Sequence, residues 1–233
     1  MLAGFIKGVI GLGLPTVAMG LLALFMPTVA AATILVLPSF LTNVWQMMAG
    51  RSLPPLIRRL WPMLLCSCLG TWAGAGLMTG SYASRMTVLL GATLVLYAMI
   101  GLSALRLSVT GAWAAALGPV VGIVTGAITA ATGVFVMPAV PYLQAIGLDR
   151  DELVQALGLS FTVSTIALAF NLFLDATLPS TVTGGVVEAT AAAFFGMWLG
   201  QNARARIDPL AFRRLFFAGL LLLGCYLAAR ALA

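Results

Sequence analysis

Apolar residues in this chain come in long runs, and polar or charged residues are confined to the short stretches between them. Six runs have the ~20 residues a helix needs to cross ~30 Å of hydrocarbon. They cover residues 28–50, 60–79, 86–105, 153–174, 181–200 and 210–229. Two further runs are punctuated. Residues 2–26 carry Gly4, Gly8, Gly11, Gly13 and Gly20 with Pro15 among them. Residues 113–142 carry Gly118, Gly122, Gly126 and Gly133, then Pro138 and Pro141. Glycine and proline weaken or interrupt a helix. Each punctuated run therefore predicts two half-helices of about 10–12 residues, roughly 15–18 Å long, which enter the membrane and return on the same side.

Composition makes the solvent explicit. Hydrophobic residues make up 62% of the chain and charged residues 8%, against about 25% charged in a soluble domain. The bilayer is the only medium that suits such a surface. The net charge of +6 sits in the connectors, where it sets orientation and gives no nucleic-acid patch. If both broken runs re-enter, Arg51, Arg58, Arg59, Arg106, Arg150, Arg204, Arg206, Arg213 and Arg214 share one face, and Arg85 and Arg230 share the other. If all eight runs cross, that bias nearly vanishes, contrary to the positive-inside rule.

The expectation is thus an all-α, multi-pass protein of a plasma (inner) membrane, with both termini outside. Each half, 1–111 and 112–233, holds one broken segment and three crossings. Three is odd, so the halves are inverted repeats, a common plan of secondary transporters. A faint internal repeat agrees: Gly4-Phe-Ile-Lys-Gly8 aligns with Gly122-Ile-Val-Thr-Gly126, and residues 28–47 align with 152–171.

Several chemistries are excluded. There is no histidine, which removes histidine metal sites and histidine-activated nucleophiles. Cys66, Cys68 and Cys225 lie inside apolar runs, without metal-ligand or disulfide spacing. No phosphate-cradling loop is present. No enzyme activity, metal or cofactor is expected.

What remains is a binding site for a small anion. Half-helix starts at mid-depth offer free N–H groups and a positive dipole end. Gly11, Gly13, Pro15 and Thr16 would line one such end, and Thr129, Thr132 and Gly133 the other. Asn43 and Gln46 share a helical face and, with Asn171, could donate to anion oxygens. Lys7 is a candidate counter-charge, and Arg51 ends the helix that carries Asn43. Glu188 lies within an apolar run, where a carboxylate costs roughly 2.5–3.5 kcal/mol. It is a candidate for proton coupling or for pairing with Lys7.

These segments resemble the TauE/SafE family of sulfite exporter-like membrane permeases. GFIKGVIGLGLPTVAMG is followed by AAATILVLPSFLTNVWQMMAGR in the first half, and GIVTGAITAATGVFVMP by QALGLSFTVSTIALAFN in the second. Leu14-Pro15 and Ala131-Thr132 stand where the family has consecutive glycines. The resemblance spans nearly the whole chain. It implies transport of sulfite, of sulfonates such as sulfoacetate, or of related small anions. Three readings stay open: a secondary transporter working by alternating access, an anion channel built on the same half-helix ends, and a non-transporting scaffold subunit. The expected partners are the small anion and the lipid bilayer, with assembly into a homo-oligomer left open.

Overall fold

The computed structural model of the chain describes residues 1–78, 83–103, 108–175 and 183–232. Arg106 and the ends of the predicted runs near 79, 104–105 and 181–182 lie outside these. Within them the chain is helical: α1 (Leu2–Ile10), α2 (Leu14–Leu22), α3 (Thr28–Met48), α4 (Leu53–Ala73), α5 (Ala83–Leu102), α6 (Gly111–Thr132), α7 (Ala139–Ala145), α8 (Arg150–Leu174), α9 (Thr183–Ala203) and α10 (Pro209–Leu232).

Five of these, α3, α5, α6, α8 and α10, are long and apolar enough to cross a membrane. The sequence predicted six crossings, and the two sets differ for physical reasons. The run from 60 belongs to a helix that starts at Leu53, because Pro54 and Pro55 fit a first turn that needs no N–H acceptors. That early start draws Arg58 and Arg59 into α4. Helix α9 has 21 residues but includes Glu188 and a polar end. Helix α8 starts sharply at Arg150, where Asp149 and Glu152 form a reciprocal capping box.

The first broken run divides as expected. Gly11 takes a left-handed φ of 76° and its N–H caps α1 on the Lys7 carbonyl at 2.8 Å. Gly13, at φ 102°, opens α2. The second run does not divide at its middle. Helix α6 continues for 22 residues, through Gly118, Pro119, Gly122 and Gly126, and stops only at Gly133 (φ 70°), whose N–H meets the Thr129 carbonyl at 2.8 Å. A non-helical stretch, 133–138, then leads to the seven-residue α7. The equal half-helices predicted here are thus replaced by one long helix and a short return.

The glycines inside α6 survive because a neighbouring backbone lies against them. A Cβ at Gly122 would fall 2.3 Å from the Met63 carbonyl oxygen, and one at Gly126 would fall 2.2 Å from that of Ser67. Gly70 and Gly74 of α4 return the contact on Ile123 and Ala130. The same interlock joins α1 to α9: Gly4 meets Ala193, Gly8 meets Met197, and Gly196 and Gly200 meet Met1 and Phe5. Both pairs run parallel. Helices α3 and α8 cross antiparallel, Gly158 against Met47, as do α5 and α10, Gly91 against Ala228. Each broken segment therefore leans on a straight helix from the other half of the chain.

These directions collect the ends of α3, α5, α7 and α9 and the starts of α4, α6, α8 and α10 at one end of the bundle. Three hydrogen bonds tie that end together: Val109 N–H to the Ala145 carbonyl at 2.9 Å, Tyr142 Oη to the Ala114 carbonyl at 2.7 Å, and Arg59 to the Ile146 carbonyl at 2.6 Å. At the opposite end, Arg230 donates to the Leu24 carbonyl at 2.7 Å.

The surface is inverted relative to a soluble protein. Trp45, Trp61, Trp72, Trp113 and Trp198 are exposed, as are Phe25, Phe173, Leu215 and Leu222, while many Ser, Thr, Asn and Gln side chains are buried. The chain is an integral, multi-pass membrane protein.

Candidate functional site

Close seating of α1 on α9 carries Lys7 into the bundle, where it is only 4% exposed. Its Nζ donates to Thr42 Oγ1 at 3.1 Å and to Asn43 Oδ1. Asn43 passes the contact on, Nδ2 donating to Thr165 Oγ1 of α8 at 3.4 Å. Thr42 Oγ1 is itself anchored on the Pro38 carbonyl at 2.7 Å. Among the described residues Lys7 forms no ion pair. An ammonium held there by neutral oxygens would lack a counter-charge among the described residues, which is costly inside a membrane.

Beside this cluster the two chain breaks meet. A void of about 10 Å³, at the threshold for one water, is lined by Pro15, Ser39, Gly133 and Thr165 together with Met19 and Phe135. Ser39 Oγ and Thr16 Oγ1 are buried without any hydrogen-bond partner. Helix α2 starts here with Gly13 as its N-cap and no side-chain cap, so the first-turn N–H groups of Leu14 and Thr16 lack helical acceptors. Ser39, Pro15 and Thr165 line the void, Thr165 links it through Asn43 to Lys7, and Thr16 follows Pro15 at the start of α2; N–H, hydroxyl and amine groups able to donate to an anion thus approach one another here.

A large cavity of about 760 Å³ opens at the end of the bundle where α3, α5, α7 and α9 finish. Val9, Ile10 and Leu12 line it beneath the first break, and Val154 and Leu157 line it on α8. Gln46 Nε2 donates to the Val154 carbonyl at 2.9 Å and lies 4.0 Å from an ideal Cβ on Gly11. The floor of the cavity is therefore contiguous with the Lys7 layer. Arg150, Arg204 and Arg213 line its walls, and among the described lining residues none is acidic.

Of the residues singled out from sequence, Lys7 bonds Asn43, Pro15 and Gly133 line the void with Thr165, Gly13 and Thr16 open α2 beside Pro15, and Gln46 lies against Gly11 at the cavity floor. Others face elsewhere. Thr129 and Thr132 hydroxyls donate to their own helix at the Thr125 and Ile128 carbonyls, both 2.7 Å. Asn171 Nδ2 ties α8 to the Thr71 carbonyl of α4 at 2.6 Å, its Oδ1 left unpartnered. Arg51 is exposed beyond the end of α3, and Glu188 is exposed on α9, with no ion pair to Lys7 among the described residues.

Sequence reading missed Arg150, Arg204 and Arg213 as cavity residues, since a connector arginine reads as an orientation charge. Thr165 was missed, being one threonine among many. Gln155 also went unnoticed: it mirrors Gln46, donating to the Met47 carbonyl and accepting from Ser52 N–H, both at 2.8 Å.

Comparison with known families bears directly on this arrangement. Residues 1–227 match the profile of the sulfite exporter TauE/SafE family. No curated protein and no solved structure matches the chain. With a match over nearly its whole length, on a bundle of membrane-length helices, the chain belongs to the TauE/SafE family of sulfite exporter membrane permeases.

Proposed function

We propose that this protein is a secondary transporter of sulfite or a small organosulfonate, working by alternating access around Lys7, Asn43, Thr16 and Ser39. The observation that carries the reading is Lys7: a buried amine whose partners among the described residues are Thr42 and Asn43, linked through Asn43 and Thr165 to the void lined by Ser39. A sulfite or sulfonate brings the missing charge and the acceptor oxygens. On arrival it takes over Lys7 from Asn43 and engages Thr16, Ser39 and the start of α2.

Alternating access is supported by the asymmetry of the cavities. One side offers a wide arginine-lined vestibule of about 760 Å³, whereas the void beside the Lys7 layer measures about 10 Å³. Phe135 and Phe161, centroids 5.1 Å apart, pack beyond it. An open channel would need a continuous path through that layer. In this reading the vestibule is the open side of the transport cycle.

An inverted repeat is supported by the pairing of elements. Exchanging the two halves turns the α1–α9 contact into the α6–α4 contact and leaves α3–α8 and α5–α10 unchanged. Hydrogen bonds joining 109 to 145 and Tyr142 to Ala114 favour a re-entrant α6–α7. The vestibule end carries Arg51, Arg58, Arg59, Arg150, Arg204, Arg206, Arg213 and Arg214, which supports placing it on the cytoplasmic side of an inner membrane.

The test is flux into liposomes containing the purified protein, using sulfite, sulfate, sulfoacetate and taurine, with and without a pH gradient. Saturable uptake of one sulfur oxyanion or sulfonate, accelerated by the same anion on the opposite side, is the expected result. Unsaturable flux would overturn the mechanism in favour of a channel, and no flux from folded protein would overturn transport of these anions.

A further inference from the structure

We propose that the vestibule contains a second anion-binding station, formed by Arg213 and Tyr97 and flanked by Arg150 and Arg204. This inference rests on the transporter reading only for calling the bound anion cargo. The binding chemistry is that of any tetrahedral oxyanion.

Three observations converge on these residues. First, Tyr97 is 2% exposed and its hydroxyl is buried with no hydrogen-bond partner, yet the residue lines the vestibule. A buried hydroxyl normally finds a partner, and leaving one unpaired is unfavourable. Second, Arg213 donates to the Gly101 carbonyl at 3.0 Å. Gly101 lies one turn after Tyr97 on the same face of α5, so the guanidinium and the phenol stand at neighbouring levels. That bond uses one of the five guanidinium N–H groups, which leaves others for an anion. Third, Phe217, one turn after Arg213 on α10, meets the Tyr97 ring edge-on with centroids 5.2 Å apart, which fixes the phenol against the α10 wall.

Arg150 and Arg204 line the same cavity and make no ion pair among the described residues. Among the described lining residues none is acidic, and although Asp149, Asp151 and Asp208 flank the mouth, the three arginines leave it net positive, which draws anions in. An anion there accepts from Tyr97 Oη and Arg213 together, then moves inward past Leu12 to Lys7. A lipid phosphate would satisfy the same donors, so the two sources must be told apart.

The experiment measures equilibrium binding of radiolabelled sulfite to the full-length protein in a neutral detergent, with anionic phospholipid retention followed by mass spectrometry on the same samples. We expect two sites per chain. Tyr97→Phe, which keeps the ring and its packing, and Arg213→Gln should each weaken one site by about tenfold, the loss of one charge-assisted hydrogen bond, and leave the other intact. Lys7→Met should remove the other site alone. If Tyr97→Phe and Arg213→Gln change neither stoichiometry nor affinity, or the wild-type protein binds no sulfite, the second station does not exist. If they instead release a bound phospholipid while a single sulfite site persists, the occupant is a headgroup and the proposal of a cargo station fails. Should Lys7→Met alter neither binding nor flux while the two vestibule variants still lose a site, the central-site reading fails and this one stands.

Discussion

At the scale of single residues, the deciding question is whether Lys7 is there for stability or for an anion. A structural lysine loses stability when it is removed, whereas one that serves a ligand is a burden without it. Among the described residues Lys7 bonds to Thr42 and Asn43 alone, and the proposed anion site puts it in the second kind, because burying a charge without a counter-charge is unfavourable. Lys7→Met should cut sulfur-anion flux by at least about 100-fold, which corresponds to ~2.7 kcal/mol. The unfolding midpoint should stay the same or rise, as replacing a poorly compensated buried charge by an apolar group is often neutral or stabilising. Flux and thermal unfolding on the same preparation decide it, and a lower midpoint with flux preserved would make Lys7 structural. Glu188 gives the opposite expectation. It is exposed on α9 and unpaired with Lys7, so Glu188→Gln should leave pH-driven flux within about twofold, a difference of less than ~0.5 kcal/mol. A larger loss would restore the coupling role that its place in an apolar run suggested. Both residues were legible in the sequence as charges in apolar runs, but which of them faces the interior depends on helix rotation, and periodicity in an almost uniformly apolar segment does not fix that.

At the scale of elements, the glycines separate into those that pack and those that break, and the two classes respond differently to substitution. Gly126 lies so close to α4 that a Cβ would stand 2.2 Å from the Ser67 carbonyl oxygen, which is backbone and has little room to yield. Gly126→Val should therefore lower stability by about 3 kcal/mol or prevent assembly altogether. Gly219, exposed on α10 with nothing within 4 Å of a built Cβ, should tolerate Gly219→Ala and gain up to ~1 kcal/mol from the better helix former. Thermal unfolding in detergent, with expression level as a second readout, tests the pair. In the sequence Gly70/Gly74 and Gly196/Gly200 stand at the four-residue spacing of close helix contacts, and the glycines at 11 and 13 mark the first break. It failed at α6, where spacing made Gly118, Gly122 and Gly126 look like a break. The difference is tertiary: a glycine row weakens an isolated helix, but pressed against a second helix it permits an approach that no larger residue allows.

At the scale of the whole molecule, the topology can be tested without knowing the substrate. If α6–α7 re-enters, positions on either side of it must face the same compartment. Thr110 precedes α6 and Gln144 lies near the end of α7, and both are exposed. The Val109–Ala145 hydrogen bond places the flanks of this segment at one end of the bundle, with the vestibule. In a background where Cys66, Cys68 and Cys225, all free thiols, are replaced by alanine, Thr110→Cys, Gln144→Cys and Ser52→Cys should all react with an impermeant thiol reagent from the cytoplasmic side. Phe25→Cys, 84% exposed at the other end beside the Arg230–Leu24 contact, should react only from the opposite side. The 22 residues of α6 would measure roughly 33 Å if straight, long enough to span, so helix length alone argues for a crossing. Chain direction argues against it, because α8 must start where α3 ends, at the Gln46–Val154 and Gln155–Met47 bonds. Labelling of Thr110 and Gln144 from opposite sides would mean that length wins and that the inverted repeat is lost. Labelling of both from the cytoplasm would mean that stretch 133–138 turns α6 back toward the vestibule and brings Gly133 opposite Pro15, where the anion site requires it.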